Sequence, residues 1–313
     1  MRLVLVLALF ASFAAAKEQL VSGSETEELF LRSADGTDVY VALNLPAGDG
    51  PFPAVLVIHG GAGGNRRATK SMASPSSSIS LVREFIKRNW VVLSTDYRAR
   101  AVFGKEEDDV VAAFQYLRNH PRVDRGQIAC WGGSHGGHLA LRIAERYGPD
   151  LACVAVGSPW IPDPISYLYG DPDNEPLVHY SKATLRFLLK RRQQFLSDLP
   201  LTSGTTRQDH PRQLHERSIL ENADKITCPT LFVTSHGDDI VPHVMVEPVI
   251  RKAKENNGQV RVFTAQDAEH GFYHRSENEE QERARTAILA FFDAHLTGDG
   301  SSKPQASTVA SGE

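Results

Sequence analysis

Of 313 residues only three are cysteine, Cys130, Cys153 and Cys228, and each lies in or beside an apolar run. Such sparse usage excludes a disulfide-built scaffold. Buried free thiols are expected instead, with oxidation of a close pair open to an exported chain. None of the three has a histidine at zinc-ligand spacing, and His135 with His138 is too sparse a pair for a metal site, so neither metal nor cofactor is expected. The net charge of -4 is small and mixed in sign, and no basic patch is interleaved with aromatics; a nucleic-acid partner is not expected. No apolar run approaches the roughly 20 residues of a membrane-spanning helix. Glycine-rich loops occur, but without the lysine of GxxxxGK[ST] or the GxGxxG spacing, which argues against a nucleotide cradle.

What is present begins with MRLVLVLALFASFAAAK, a basic residue, an apolar run from Leu3 to Phe13 and small residues before Lys17. This is the pattern of a secretory signal cleaved after Ala16, with a retained signal anchor as the alternative. The expected organisation is a signal at 1–16, one domain over 17–296, and a small, polar, disordered tail at 297–313. The mature protein is expected in the periplasm or secreted, with no stable membrane insertion.

Residues Glu28 to Pro46 alternate apolar and polar side chains around Asp35-Gly36, which predicts an antiparallel hairpin at a sheet edge. Short β-branched runs then alternate with amphipathic segments. AVLVIHG precedes ISLVREFIKRN, WVVLSTDYR precedes EEDDVVAAFQYLRNH, and QIACWGG precedes a segment with Leu139, Ile143 and Tyr147 at helical spacing. LACVAVG, TLFVTS and QVRVFTA continue the series, and a last helix carries Ile288, Phe291 and Phe292. The class is α/β, a doubly wound and mainly parallel sheet with an N-terminal hairpin. Residues from about 159 to 222 interrupt the rhythm with proline, charge and aromatics, and read equally as a helical cap insertion or as an enlarged helical crossover.

The chemistry centres on GGSHGG, Gly132 to Gly137. GxSxG alone arises by chance in roughly one chain of this length in ten, but here it follows an apolar strand and opens a helix, the context of a nucleophile elbow. A serine hydroxyl needs a neutral histidine to take its proton, and that histidine needs a carboxylate to fix its tautomer. In the expected order, Asp238 and Asp239 follow the TLFVTS strand and His270 follows the next one. The oxyanion donors would be the amide of His135 and that of Gly61 or Ala62, in the HGGAGG loop from His59 to Gly64. Trp160, with Tyr167 and Tyr169, either lines a substrate pocket or packs the cap.

HGGAGG, TDYRA, GGSHGG, DDIVP and EHGFYHRSEN together make the chain from about Ala54 to Leu296 resemble the α/β-hydrolase superfamily. More narrowly, it resembles the catalytic domain of the prolyl oligopeptidase family, especially its acylaminoacyl-peptidase-like branch, and related dienelactone-hydrolase-like esterases. The resemblance implies Asp238 as the acid, because the family acid stands three residues before the Val of a Val-Pro pair, here Val241-Pro242. It also implies a serine hydrolase acting on a small ester or a short peptide. Family peptidases carry a gating β-propeller, which residues 17–53 are too few to form, so an esterase is the first expectation and a small-peptide or acylaminoacyl peptidase the second. A non-catalytic binding protein on a hydrolase fold is the alternative of another class.

Overall fold

The computed structural model describes residues 25–99, 101–164 and 210–296, together with Tyr167 and positions 180–182, 184–186, 188–190 and 192. The expected signal at 1–16, the tail at 297–313, Tyr169 and most of the 159–222 insertion lie outside the described residues.

The hairpin forms as the alternation requires. Strands β1 (Glu25–Arg32) and β2 (Asp38–Leu45) pair antiparallel, and the turn is closed by Gly36 in a left-handed conformation, φ 81°. Six further strands follow: β3 (Phe52–Ile58), β4 (Val91–Thr95), β5 (Val123–Gly133), β6 (Cys153–Gly157), β7 (Thr230–Ser235) and β8 (Val260–Ala265). The eight strands form one sheet in the order β1-β2-β4-β3-β5-β6-β7-β8. β2 joins β4 antiparallel, and every pairing from β4 through β8 is parallel.

Alternation along the buried strands divides the core in two. Ala54, Leu56 and Ile58 of β3 face one layer, while Val55 and Val57 face the other. The first layer is covered by α3 (Glu106–Asn119), α4 (His135–Tyr147) and α6 (His243–Asn256), through Phe114, Leu139, Ile143 and Val249. The second is covered by α2 (Ser80–Lys87) and α7 (Glu279–His295), where Phe85 meets Phe292 edge-on at 5.1 Å. Two shorter helices are α1 (Arg66–Ser71) and α5 (His210–His215). Truncating a fully buried ring such as Phe292 to alanine removes roughly 3–5 kcal/mol of stability.

The three cysteines are free and buried. Burial pushes their thiols up, that of Cys228 to about 12, so none is a reactive thiolate. Among the described residues no helix is long and apolar enough to cross a membrane. Because β3, β5, β7 and β8 run parallel, the loops that follow them open on one sheet edge, the usual place for a site in open α/β sheets.

Candidate active site

The turn from β5 into α4 holds Ser134 at φ 55°, ψ -125°. Such a conformation costs a non-glycine residue on the order of 1–3 kcal/mol and persists only where the surroundings enforce it. Here the Ser134 amide donates to the Gly157 carbonyl at 2.8 Å, while the Ser134 carbonyl accepts from Gly137 at 2.9 Å and from Trp160 at 3.0 Å. The close turn also demands glycine at two positions: a Cβ on Gly132 would strike the Gly136 carbonyl, and one on Gly136 would strike the Ile58 carbonyl of β3. The glycine spacing of the motif is therefore a packing requirement of the strand, turn and helix.

Past β7, the Asp238 carboxylate is buried and fixed from three sides. Its Oδ1 accepts from the amides of Ile240 at 3.0 Å and Val241 at 2.8 Å, and its Oδ2 lies 2.8 Å from His270 Nδ1. Val241 is buried and Pro242 caps α6, so the Ile-Val-Pro segment aims the carboxylate at the histidine. His270 follows β8, and its side chain is 18% exposed while that of Asp238 is 0% exposed. Asp239 is exposed; its carbonyl accepts from Thr184 Oγ1 at 3.3 Å. The structure thus pairs His270 with Asp238. Its Nε2 has no partner among the described residues.

The HGGAGG loop leaves β3 beside this turn. A Cβ on Gly60 would lie 3.1 Å from Ser134 Cβ, and Gly61 has φ 92°. The amides of His135, Gly61 and Ala62 have no backbone or side-chain acceptor among the described residues. For His135 this follows from its place in the first helical turn, where no intrahelical acceptor exists.

A second aspartate–histidine pair holds the loop. His59 Nε2 lies 3.0 Å from Asp96 Oδ1 and His59 Nδ1 lies 2.8 Å from the Gly60 carbonyl. Asp96 also accepts from the amides of Asn65 at 3.0 Å and Tyr97 at 2.8 Å. Burial raises the Asp96 carboxyl, but the His59 and amide hydrogen bonds outweigh it and hold it below its ordinary range. Tyr97 stacks on the His59 ring at 4.8 Å and donates to the carbonyls of His59 and Gly61. The three bracing side chains stand within HGGAGG and TDYRA, but the sequence alone gives no sign that they meet.

Trp160 is 8% exposed and sits in an aromatic cluster. It stacks on Phe103 at 5.8 Å, meets Tyr167 edge-on at 5.3 Å and lies 5.7 Å from His135. His135 stacks in turn on His138 at 5.6 Å. Burial, with His59 nearby, lowers His135 to about 3, and burial likewise lowers His138 well below its ordinary value. Both rings are neutral at physiological pH. Among the described residues no three His, Cys, Asp or Glu side chains converge as a metal site.

Behind the turn, the acidic start of α3 is buried. Asp109 holds Arg98 at 2.6 Å, and Glu107 holds Arg142 at 3.2 Å and also Arg146. Burial, with Glu107 close by, raises Glu106 to about 8; burial also raises Glu145 to about 8 against the pull of Arg142. The charges of the first turn therefore join two helices in addition to meeting the helix dipole.

A strained serine between a parallel strand and a helix, with a histidine and a buried acid delivered by the last two strands, defines the α/β-hydrolase class. Within it, the chain belongs to the family described as BAAT / Acyl-CoA thioester hydrolase C terminal, whose model matches residues 111–272. A second model, BD-FAE, matches residues 38–148. Dipeptidyl aminopeptidase BIII of Pseudoxanthomonas mexicana is 26% identical over 85% of this chain, and the chain spans 36% of that protein's length. The uncharacterized peptidase YtmA of Bacillus subtilis is 23% identical over 66% of this chain and 70% of its own. Among solved structures, a puromycin hydrolase aligns at TM-score 0.64 with 18% identity, covering 90% of this chain and 40% of that one. A Pyrobaculum calidifontis esterase aligns at 0.64 with 19% identity, covering 95% and 94%.

Proposed function

We propose that the protein is an exported serine hydrolase that cleaves carboxylic esters through an acyl-enzyme. The carrying observation is the pairing of His270 Nδ1 with the buried Asp238 carboxylate at 2.8 Å, which leaves Nε2 for proton transfer. Ser134 Oγ attacks the substrate carbonyl carbon while its proton passes to His270 Nε2. The oxyanion is met by the amides of His135 and of Gly61 or Ala62. His270 then gives that proton to the departing alkoxide, leaving the acyl group on Ser134. Water attacks the acyl-enzyme, again losing a proton to His270, and the acid departs as the Ser134 hydroxyl is restored. Asp238 keeps the ring in one tautomer and stabilises its charged form throughout. Residues 1–16 serve as the export signal, so the mature N-terminus is expected at Lys17, readable by N-terminal sequencing of the exported protein.

An ester substrate is supported by extent: the likeness to the Pyrobaculum esterase runs over 94% of that chain, against 40% of the puromycin hydrolase. A short-peptide or acylaminoacyl substrate is the second reading, favoured by the 26% identity with dipeptidyl aminopeptidase BIII over 85% of this chain. Labelling with a fluorophosphonate probe tests the nucleophile. Wild type is expected to label and Ser134→Ala to remain unlabelled; an unlabelled wild type, or equal labelling of the variant, overturns the assignment. Nitrophenyl esters of rising chain length beside acyl-peptide and prolyl anilides then separate ester from peptide cleavage.

A further inference from the structure

The loop after β8 carries His270, and three residues later it carries Tyr273, which is buried to 1% exposure. The Tyr273 hydroxyl donates to the Gly157 carbonyl at 2.9 Å. That same carbonyl accepts the Ser134 amide at 2.8 Å. One backbone oxygen at the end of β6 therefore receives both the proposed nucleophile's backbone and the histidine loop.

The ends of β5 and β6 are shaped for this ring. A Cβ on Gly157 would lie 2.5 Å from Tyr273 Cζ, and a Cβ on Gly133 would lie 2.8 Å from the Tyr273 hydroxyl oxygen. Two glycines, adjacent across the β5–β6 ladder, thus leave the space that the phenol fills. Trp131 and Phe272 pack edge-on against the same ring, each at 5.4 Å. Burial, with Asp238 nearby, keeps the pKa of the Tyr273 hydroxyl far above the ordinary tyrosine value, so it stays a hydrogen-bond donor.

No other described side chain of the loop after β8 reaches the carbonyl that anchors Ser134. Asp238 orients the His270 ring, but Asp238 belongs to the β7 loop and makes no hydrogen bond to the Ser134 turn. We propose that Tyr273 is a positioning residue: by anchoring the histidine loop on Gly157 O, it sets where His270 stands relative to Ser134. It touches neither substrate nor the reacting atoms. The proposal rests on the serine-hydrolase reading above.

Tyr273→Phe removes the hydroxyl and keeps the ring, so the two glycine gaps stay filled. Melting by circular dichroism checks that the variant folds. Steady-state hydrolysis of a nitrophenyl ester and the rate of fluorophosphonate labelling are then measured in wild type, Tyr273→Phe, His270→Ala and the double variant. The expected result is a kcat and a labelling rate at least about 10-fold lower in Tyr273→Phe, with KM within about twofold. In the His270→Ala background the second substitution should cost less than about twofold, because a group acting through His270 has nothing left to position. Wild-type kcat in Tyr273→Phe, a loss carried by KM, or an equal loss with and without His270 would each overturn the proposal. Absence of labelling in wild type would instead overturn the underlying serine-hydrolase reading, so the two failures are distinguishable.

Discussion

Two aspartate–histidine pairs stand at the same edge of this sheet, and their surroundings assign them different work. In the pair after β3 and β4, the side chains of His59 and Asp96 are 1% and 7% exposed, and both ring nitrogens of His59 are engaged, one by Asp96 and one by the Gly60 carbonyl. In the pair after β7 and β8, the His270 side chain is 18% exposed and only Nδ1 is engaged. A histidine whose nitrogens are both committed to fixed acceptors can hold a loop but has no nitrogen left to take a serine's proton. One with a free nitrogen near solvent and a buried acid behind it can do so. An aspartate at hydrogen-bond distance from a histidine is therefore not diagnostic by itself. The state of the second nitrogen is.

The sharpest way to break this distinction is to remove each histidine. His270→Ala should lower kcat for a nitrophenyl ester by roughly 10⁴-fold or more per folded molecule, whatever stability it loses by leaving the buried Asp238 without its partner. Asp238→Asn should come next, with a loss of about 10⁴-fold in kcat from the wrong tautomer, read in the same assay. His59→Ala should show the opposite balance. It leaves Asp96 buried without its partner and should cost about 3–5 kcal/mol in urea denaturation, with less than about 100-fold lost in kcat per folded molecule. If His59→Ala were as inactive as His270→Ala and equally stable, the division of labour would be wrong.

The smallest effect concerns pH. Glu106 is raised to about 8 by burial, with Glu107 adding to the shift, from an ordinary carboxyl value of 4.5. Between those two values the folded protein binds the proton and the unfolded chain does not, so this group's contribution to stability is full below about 4.5 and declines as pH rises toward 8. The slope from this single group is at most about 1.4 kcal/mol per pH unit. Glu106→Gln should flatten the fall of urea-derived stability between pH 5 and 8, without the kcat losses of the His270 and Asp238 variants. An unchanged slope would remove Glu106 from that role.

Much of the frame was readable along the chain because its signals are local. Continuous β-branched runs mark β3 to β8, and the hairpin announces itself through alternation and Asp35-Gly36. The GGSHGG turn is visible because glycine is required wherever a strand and helix approach this closely. Choosing Asp238 over Asp239 needs the family resemblance; in the structure it is Asp238 that lies 2.8 Å from His270 Nδ1. The braces were not legible. Asp96 and Tyr97 stand within TDYRA and Tyr273 within EHGFYHRSEN, but nothing near them in sequence tells that Asp96 will meet His59 or which carbonyls the two tyrosine hydroxyls will meet. Nothing local marks the acids of α3 as ion-pair partners, because their arginines, Arg98, Arg142 and Arg146, lie on other elements. The short helix α1 has no clear signal either: its cap, Asn65 accepting from Ala68, directly follows the glycines of the HGGAGG loop.

The order of strands in the sheet has a kinetic consequence. The serine turn is anchored on β6, the acid follows β7 and the histidine follows β8, while the brace of the glycine loop comes from β4. These parts are far apart in sequence and meet only when parallel strands have found their registers, a slow class of event because long loops must close before the contacts reward it. During refolding, helical signal should therefore return before reactivity toward a fluorophosphonate. The serine would act as a clock for the last stage of assembly, reporting the moment at which the far strands dock.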